Sequence, residues 1–257
     1  MKIGGRAYRN GVRLFGQKYS VKAYYEDNKL KYEVGENVLA NNKLFLSAKK
    51  VPILRGMVSI IFSLFYFLKE SFRSPKKFWP IILLIIFDIG LEIYFKLMPN
   101  SSFSVSISPV FTKVPLYLVG LTAIIMLLRM TVFKELFKFH GAEHKAVNYY
   151  QSNNKQNISS HSRLARRCGT NLVVFYLLII LALEAMGLIF NVYLEALIAI
   201  GIAYELILIL PKSLLSLPYL VQKITTIEPD AKHIKAAETA LDILVSMEKQ
   251  DECQIIA

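Results

Sequence analysis

The residues with most chemical potential lie in one short stretch, Phe139-His140-Gly141-Ala142-Glu143-His144-Lys145. His140 and His144 are four apart, so a helix through this stretch sets both imidazoles on one face, one turn apart, within reach of a single ion. The order H-x-x-E-H is the inverted form of a zinc-hydrolase motif, in which two His hold the metal and the intervening Glu takes a proton from water. Glu143 is therefore the candidate catalytic residue, and His140 and His144 are candidate ligands of a divalent ion, with Zn²⁺ expected. Two imidazoles leave such a site short, because catalytic zinc has three protein ligands and an open position. Cys168, in Arg166-Arg167-Cys168-Gly169-Thr170, is one candidate to complete it, since neighbouring arginines favour a thiolate. Glu205, in Ala203-Tyr204-Glu205-Leu206, is another, and His161, in the polar loop Gln151–Ser162 that precedes Cys168, is a third that would have to fold back. Lys145, Arg163 and Arg167 are candidates to hold an anionic substrate, a lipid headgroup or a peptide. The competing structural role for the His pair is to decorate an interfacial helix and bond headgroups and carbonyls.

The elements that must position these groups are set by hydropathy and charge. Apolar residues make up 54% of the 257, above the roughly 45–50% of ordinary soluble domains. The net charge of +12 comes from 31 Lys+Arg against 19 Asp+Glu, and these charges flank long apolar runs. No aromatic-interleaved basic stripe is present, so a nucleic-acid partner is not expected. Only Cys168 and Cys253 occur, which excludes a disulfide scaffold and fits a reducing compartment. Four runs, Trp79–Met98, Pro115–Val132, Asn171–Phe190 and Ala196–Leu217, the last bent or broken at Pro211, reach the length of about 20 residues that crosses a bilayer. Ile53–Leu68 is shorter, carries Arg55, and has basic flanks on both sides. The expected fold is thus an all-α polytopic membrane helix bundle of four spanning helices plus one in-plane or re-entrant helix.

The expected organisation follows from this. Residues 1–52 form a cytoplasmic β-rich segment, with a hairpin of Tyr19–Tyr25 and Leu30–Val34 around the turn at Glu26-Asp27-Asn28. Residues 53–78 are the in-plane helix and a basic linker. Residues 79–220 are the transmembrane bundle, with the His-Glu-His segment and Cys168 on its cytoplasmic side (139–170). Residues 221–257 form a cytoplasmic amphipathic helix, started by Pro229-Asp230, with a stripe of Ile234, Ala237, Leu241, Leu244 and Val245. Under the positive-inside rule both termini are cytoplasmic in a multi-pass protein of the bacterial plasma membrane. Asp88, Glu92, Glu184 and Glu205 then fall inside spans, where each ionised carboxylate costs about 2.5–3.5 kcal/mol and needs a partner or a role. Asp88 and Glu92 share a helix face, as acids supporting a metal site or an ion route would.

Together these motifs resemble the YqhQ-like family of bacterial integral membrane proteins, a domain-of-unknown-function family catalogued as predicted metal-dependent enzymes. The likeness rests on Phe139–Lys145 and Arg167-Cys168-Gly169-Thr170. It extends to Gly4-Gly5, Gly11-Val12, Pro52–Gly56, Tyr204-Glu205 and Thr225–Asp230 in the same order. It departs from the family at Asn10, where Glu is usual, and at Ala165-Arg166, where His-Pro is usual. The resemblance implies a metal-dependent activity and singles out Glu205 over Glu184. The leading expectation is a membrane-embedded metal-dependent hydrolase. The alternatives are an ion- or proton-conducting transporter that uses the buried acids, and a non-catalytic membrane scaffold. The bilayer and an anionic lipid or peptide are the expected partners, and self-association as a homo-oligomer is compatible with all three.

Overall fold

A computed structural model describes residues 1, 3–37, 42–73, 126–127, 129–152, 156–188 and 191–256, with the single positions 86, 90, 93 and 94. The chain divides into two compact units, residues 1–58 with 125–257, and residues 59–124. The candidate base and ligands lie in the first unit.

That unit opens with four antiparallel strands in the order β1-β2-β3-β4: Gly4–Tyr8, Gly11–Phe15, Tyr19–Glu26 and Lys29–Glu36. The predicted hairpin is the β3–β4 pair, closed at Glu26↔Lys29. Asp27 and Asn28, at φ 50° and 59°, form its turn, residues that tolerate the left-handed region better than most. The two strands before it extend the hairpin into a full sheet, with Gly5 opposite Leu14 and Val12 opposite Ala23. Val12, Leu14, Val21 and Ala23 point to one face and are wholly buried. Against that face pack α3 (Lys134–Gln151), which carries the His-Glu-His motif, and α7 (Ala231–Ile256). Helix α7 begins where Pro229-Asp230 predicts and buries Ala237, Leu241 and Leu244 of the expected stripe.

Among the described residues, the helices α1 (Lys43–Ala48) and α2 (Leu54–Arg73) come before α3. After it come α4 (Gly169–Ala185), α5 (Val192–Ile209) and α6 (Ser216–Thr225). Phe175, Ala203, Ile207 and Leu215 form a second apolar cluster among α4, α5 and the turn before α6.

The expectation of a polytopic membrane bundle is overturned. Among the described residues no helix is long and apolar enough to cross a membrane. The run Asn171–Phe190 yields a helix of 17 residues, about 25 Å at 1.5 Å per residue, because α4 ends ahead of Gly187, whose φ is +69°. The run Ala196–Leu217 is divided at Pro211 into α5, a 3₁₀ turn (Lys212–Leu215) and α6. Helix α5 has 18 residues, about 27 Å, and contains Glu195 and Glu205. The in-plane element is a regular helix of 20 residues, α2, interrupted by Arg55, Lys69 and Glu70. The proposed spans Trp79–Met98 and Pro115–Val132 lie for the most part outside the described residues. The described helices therefore give no support to a multi-pass membrane location.

Candidate functional site

His140 and His144 share one face of α3, as their spacing requires, with ring centroids 4.3 Å apart. Each imidazole is oriented from behind by a carbonyl. His140 Nδ1–H donates to Thr225 O at 2.9 Å, at the end of α6, and His144 Nδ1–H donates to Arg163 O at 2.6 Å, in the loop before α4. A carbonyl oxygen only accepts, so each ring carries a proton on Nδ1 and turns Nε2 to the interior. Cys168, the residue that caps the start of α4, completes the group. Its Sγ lies 3.5 Å from His140 Nε2 and accepts from Thr170 N at 3.4 Å. One ligand atom from each of His140, His144 and Cys168 lies within 4.8 Å of the others. Glu143 adds a carboxylate whose Oε2 is 3.6 Å from His144 Nε2.

The site is dry. His144 is 3% exposed, while Glu143 and Cys168 are each 6% exposed. Burial opposes ionisation of the Cys168 thiol, but hydrogen bonds from His140 and His144 overcome it and bring its pKa down to about 4. Burial likewise disfavours a charged His144. The bond to Cys168, the charge of Glu143 and the Arg163 carbonyl outweigh it and lift the imidazole to about 9. Burial pushes the Glu143 carboxyl up, against the pull of His144 and His140.

Much of the positioning comes from polar groups that have no signature in the sequence. Gln222 and Asn171 are both completely buried. Gln222 accepts from Ala165 N at 2.9 Å and donates to Ala165 O at 3.1 Å, while Asn171 donates to Ala165 O and Arg166 O at 3.0 and 2.9 Å. This clamp holds the loop that delivers Cys168, and Thr226 Oγ1 donates to Gln222 O at 2.8 Å beside the Thr225 carbonyl that orients His140. Arg166 donates to Ile207 O and Leu208 O at 2.6 and 3.0 Å, and to Leu210 O, tying the same loop to the end of α5. At the usual His-Pro position, then, this chain uses backbone and a capping guanidinium. Gly5 of β1 faces Glu143: a Cβ there would sit 2.6 Å from the carboxyl carbon, so the strand closes directly on the candidate base.

Other expected members lie elsewhere or outside. Glu205 is no part of the cluster: it accepts from Arg55 Nε at 2.7 Å, from Arg55 Nη2 and from Ile53 N at 3.0 Å, joining α5 to the start of α2. The guanidinium holds its carboxyl below the usual range. His161 bonds Ser152 and Asn157 within its own loop. Glu184 and Arg167 are exposed, and Asp88 and Glu92 lie outside the described residues. Asn10 donates to Tyr25 O in the sheet. Lys145 and Arg163 do flank the cluster, Lys145 next to His144 and Arg163 through its carbonyl.

A family model described as a protein of unknown function, DUF1385, matches residues 51–247. The chain belongs to this family. It is also 25% identical over 215 residues to the uncharacterized protein YqhQ of Bacillus subtilis (strain 168), which covers 77% of this chain. The match spans 61% of that protein's length. No solved structure matches. The YqhQ-like resemblance of the motifs is thus the family relationship itself, and the matched region contains every member of the His-Cys-Glu cluster.

Proposed function

We propose that this chain is a metal-dependent hydrolase, with His140, His144 and Cys168 as ligands of a divalent ion, Zn²⁺ by ligand type, and Glu143 as the general base. One observation carries the reading. With both Nδ1 atoms donating to carbonyls, two imidazole Nε2 atoms, the Cys168 sulfur and a carboxylate converge in a largely buried space, a donor set suited to a cation at its centre. Two nitrogens and one sulfur match a tetrahedral site with one open position. The ion, when bound, supplies Lewis-acid activation of water and of the substrate's electrophilic centre.

The remaining work falls to the chain. Thr225 O and Arg163 O fix the imidazoles, and the Gln222–Asn171 clamp fixes the thiolate. Glu143, which burial makes more basic than an ordinary carboxylate, takes the proton of the attacking water and returns it to the leaving group. Gly5, having no side chain, leaves that carboxylate room beside the strand.

The test is metal content. Purified full-length chain is expected to hold close to one zinc, lost in His144→Ala and Cys168→Ala and kept in Glu143→Gln, while hydrolytic activity is lost in all three. A chain that takes up no divalent metal would sink this reading. The Cys168–His140 contact supports a second one, a thiolate nucleophile paired with imidazole. Covalent labelling of Cys168 by an electrophilic substrate analogue, in a chain that holds no metal, would favour it.

A further inference from the structure

Lys145 is a lysine almost without solvent. Its side chain is 6% exposed, and its ammonium donates to Ser159 O and is paired with Glu228 Oε1, both at 2.6 Å. Arg163, 27% exposed, donates from Nη1 to Thr226 O at 3.2 Å and places Nε 3.9 Å from the other oxygen of the same carboxylate. Glu228 itself is 66% exposed. A solvent-facing carboxylate thus reaches onto two covered cations, one oxygen to each. Both cations are tied to the metal cluster: Lys145 follows His144 on α3, and the Arg163 carbonyl holds His144 Nδ1.

The geometry points to Lys145 and Arg163 as the site that recognises an oxyanion of the substrate, with Glu228 occupying it in the free chain. This inference rests on the hydrolase reading, whose substrate class it names as carboxylate- or phosphate-bearing. Two features argue against a purely structural ion pair. Glu228 keeps most of its own surface in water, so it exchanges for another anion without uncovering a buried group of its own. Arg163 Nε also stands beyond hydrogen-bond length from Glu228, so a ligand oxygen seated closer gains a charge-assisted bond that Glu228 does not make. An incoming anion replaces the Glu228 carboxylate at no loss of charge pairing for the buried ammonium.

Inorganic phosphate and acetate are the probes, titrated calorimetrically into the full-length chain with and without zinc. Glu228→Gln is expected to tighten the preferred probe about tenfold, by freeing a site otherwise closed most of the time. Arg163→Gln is expected to weaken it by about as much, and the stronger of the two probes tells phosphate from carboxylate substrates. Because Lys145→Met can fail to fold, the two more exposed positions carry the test, with circular dichroism on each. Unchanged affinity in Glu228→Gln, or in Arg163→Gln, overturns the inference. Zinc content is read on the same samples. One zinc per chain without these effects sinks the anion site alone. The effects in a chain that takes no zinc leave the anion site standing and sink the hydrolase centre.

Discussion

Gly141, the second residue of the His-Glu-His motif, lies against the backbone of the segment that orients His140, and Gly141→Ala separates two opposing effects. A methyl at this position would overlap the carbonyl oxygen of Ile227 and lie 3.4 Å from Pro229 Cδ. Relief requires about 1 Å of movement between α3 and residues 225–229 to restore ordinary van der Waals contact. That movement pulls on the Ile227 N–H bond to Phe137 O at 3.0 Å and on the His140 bond to Thr225 O at 2.9 Å. Overpacking costs about 1–3 kcal/mol and the weakened backbone bond about 1 kcal/mol. Replacing Gly by Ala within a helix returns about 1 kcal/mol. The net is a loss of about 1–3 kcal/mol, and each kcal/mol lowers the melting temperature by about 2–4 °C in a chain of this size. Zinc affinity falls with it, because the Thr225 carbonyl no longer fixes His140. Differential scanning calorimetry with zinc titration reads both. An unchanged or raised melting temperature, as helix propensity alone would give, refutes the packing argument.

Four other outcomes are expected from the structure. Gly5→Ala displaces the Glu143 carboxylate and lowers turnover about a hundredfold, the scale of a 1 Å misplacement, while zinc content stays the same. Glu205→Gln destabilises the junction of α2 and α5 in urea unfolding and leaves zinc binding intact, since Arg55 is its partner. In the metal-free chain the ultraviolet absorbance of the Cys168 thiolate titrates at about 4 instead of 9.0; a midpoint near 9.0 would contradict the arrangement. The depressed thiol contributes stability that is complete above pH 9.0 and is lost as pH falls toward about 4. The raised His144 contributes fully below 6.5 and loses its share as pH rises to about 9. The two slopes oppose each other between pH 6.5 and 9, so urea unfolding of the metal-free chain is expected to show its net loss below 6.5.

The His140–His144 pair was legible because its geometry is local: four residues on one helix determine it. Cys168 was visible only as a candidate, since the loop that returns it to α3 is held by Gln222 and Asn171, which resemble any other buried amides in a sequence. The Arg163 and Thr225 carbonyls, which set the tautomers, leave no side-chain trace. Glu205 misled because an acid within an apolar run suggests function, and its partner Arg55 lies 150 residues earlier. The β3–β4 hairpin and the α7 stripe could be read from alternation and periodicity, whereas β1 and β2, five residues each and rich in Arg and Gly, were hidden. The apolar run at 171–190 suggested a span because hydropathy does not register the end of α4 before Gly187, whereas the break of the run at 196–217 was legible at Pro211.

Joint ligation of one metal ion by His140, His144 and Cys168 is tested most directly by loading the full-length chain with Co²⁺ in place of zinc and recording its absorption spectrum. The structure predicts stoichiometric uptake with a sulfur-to-cobalt charge-transfer band, abolished in Cys168→Ala, and visible bands that change in His140→Ala and His144→Ala. Failure to bind cobalt, or binding with no thiolate band, would contradict it.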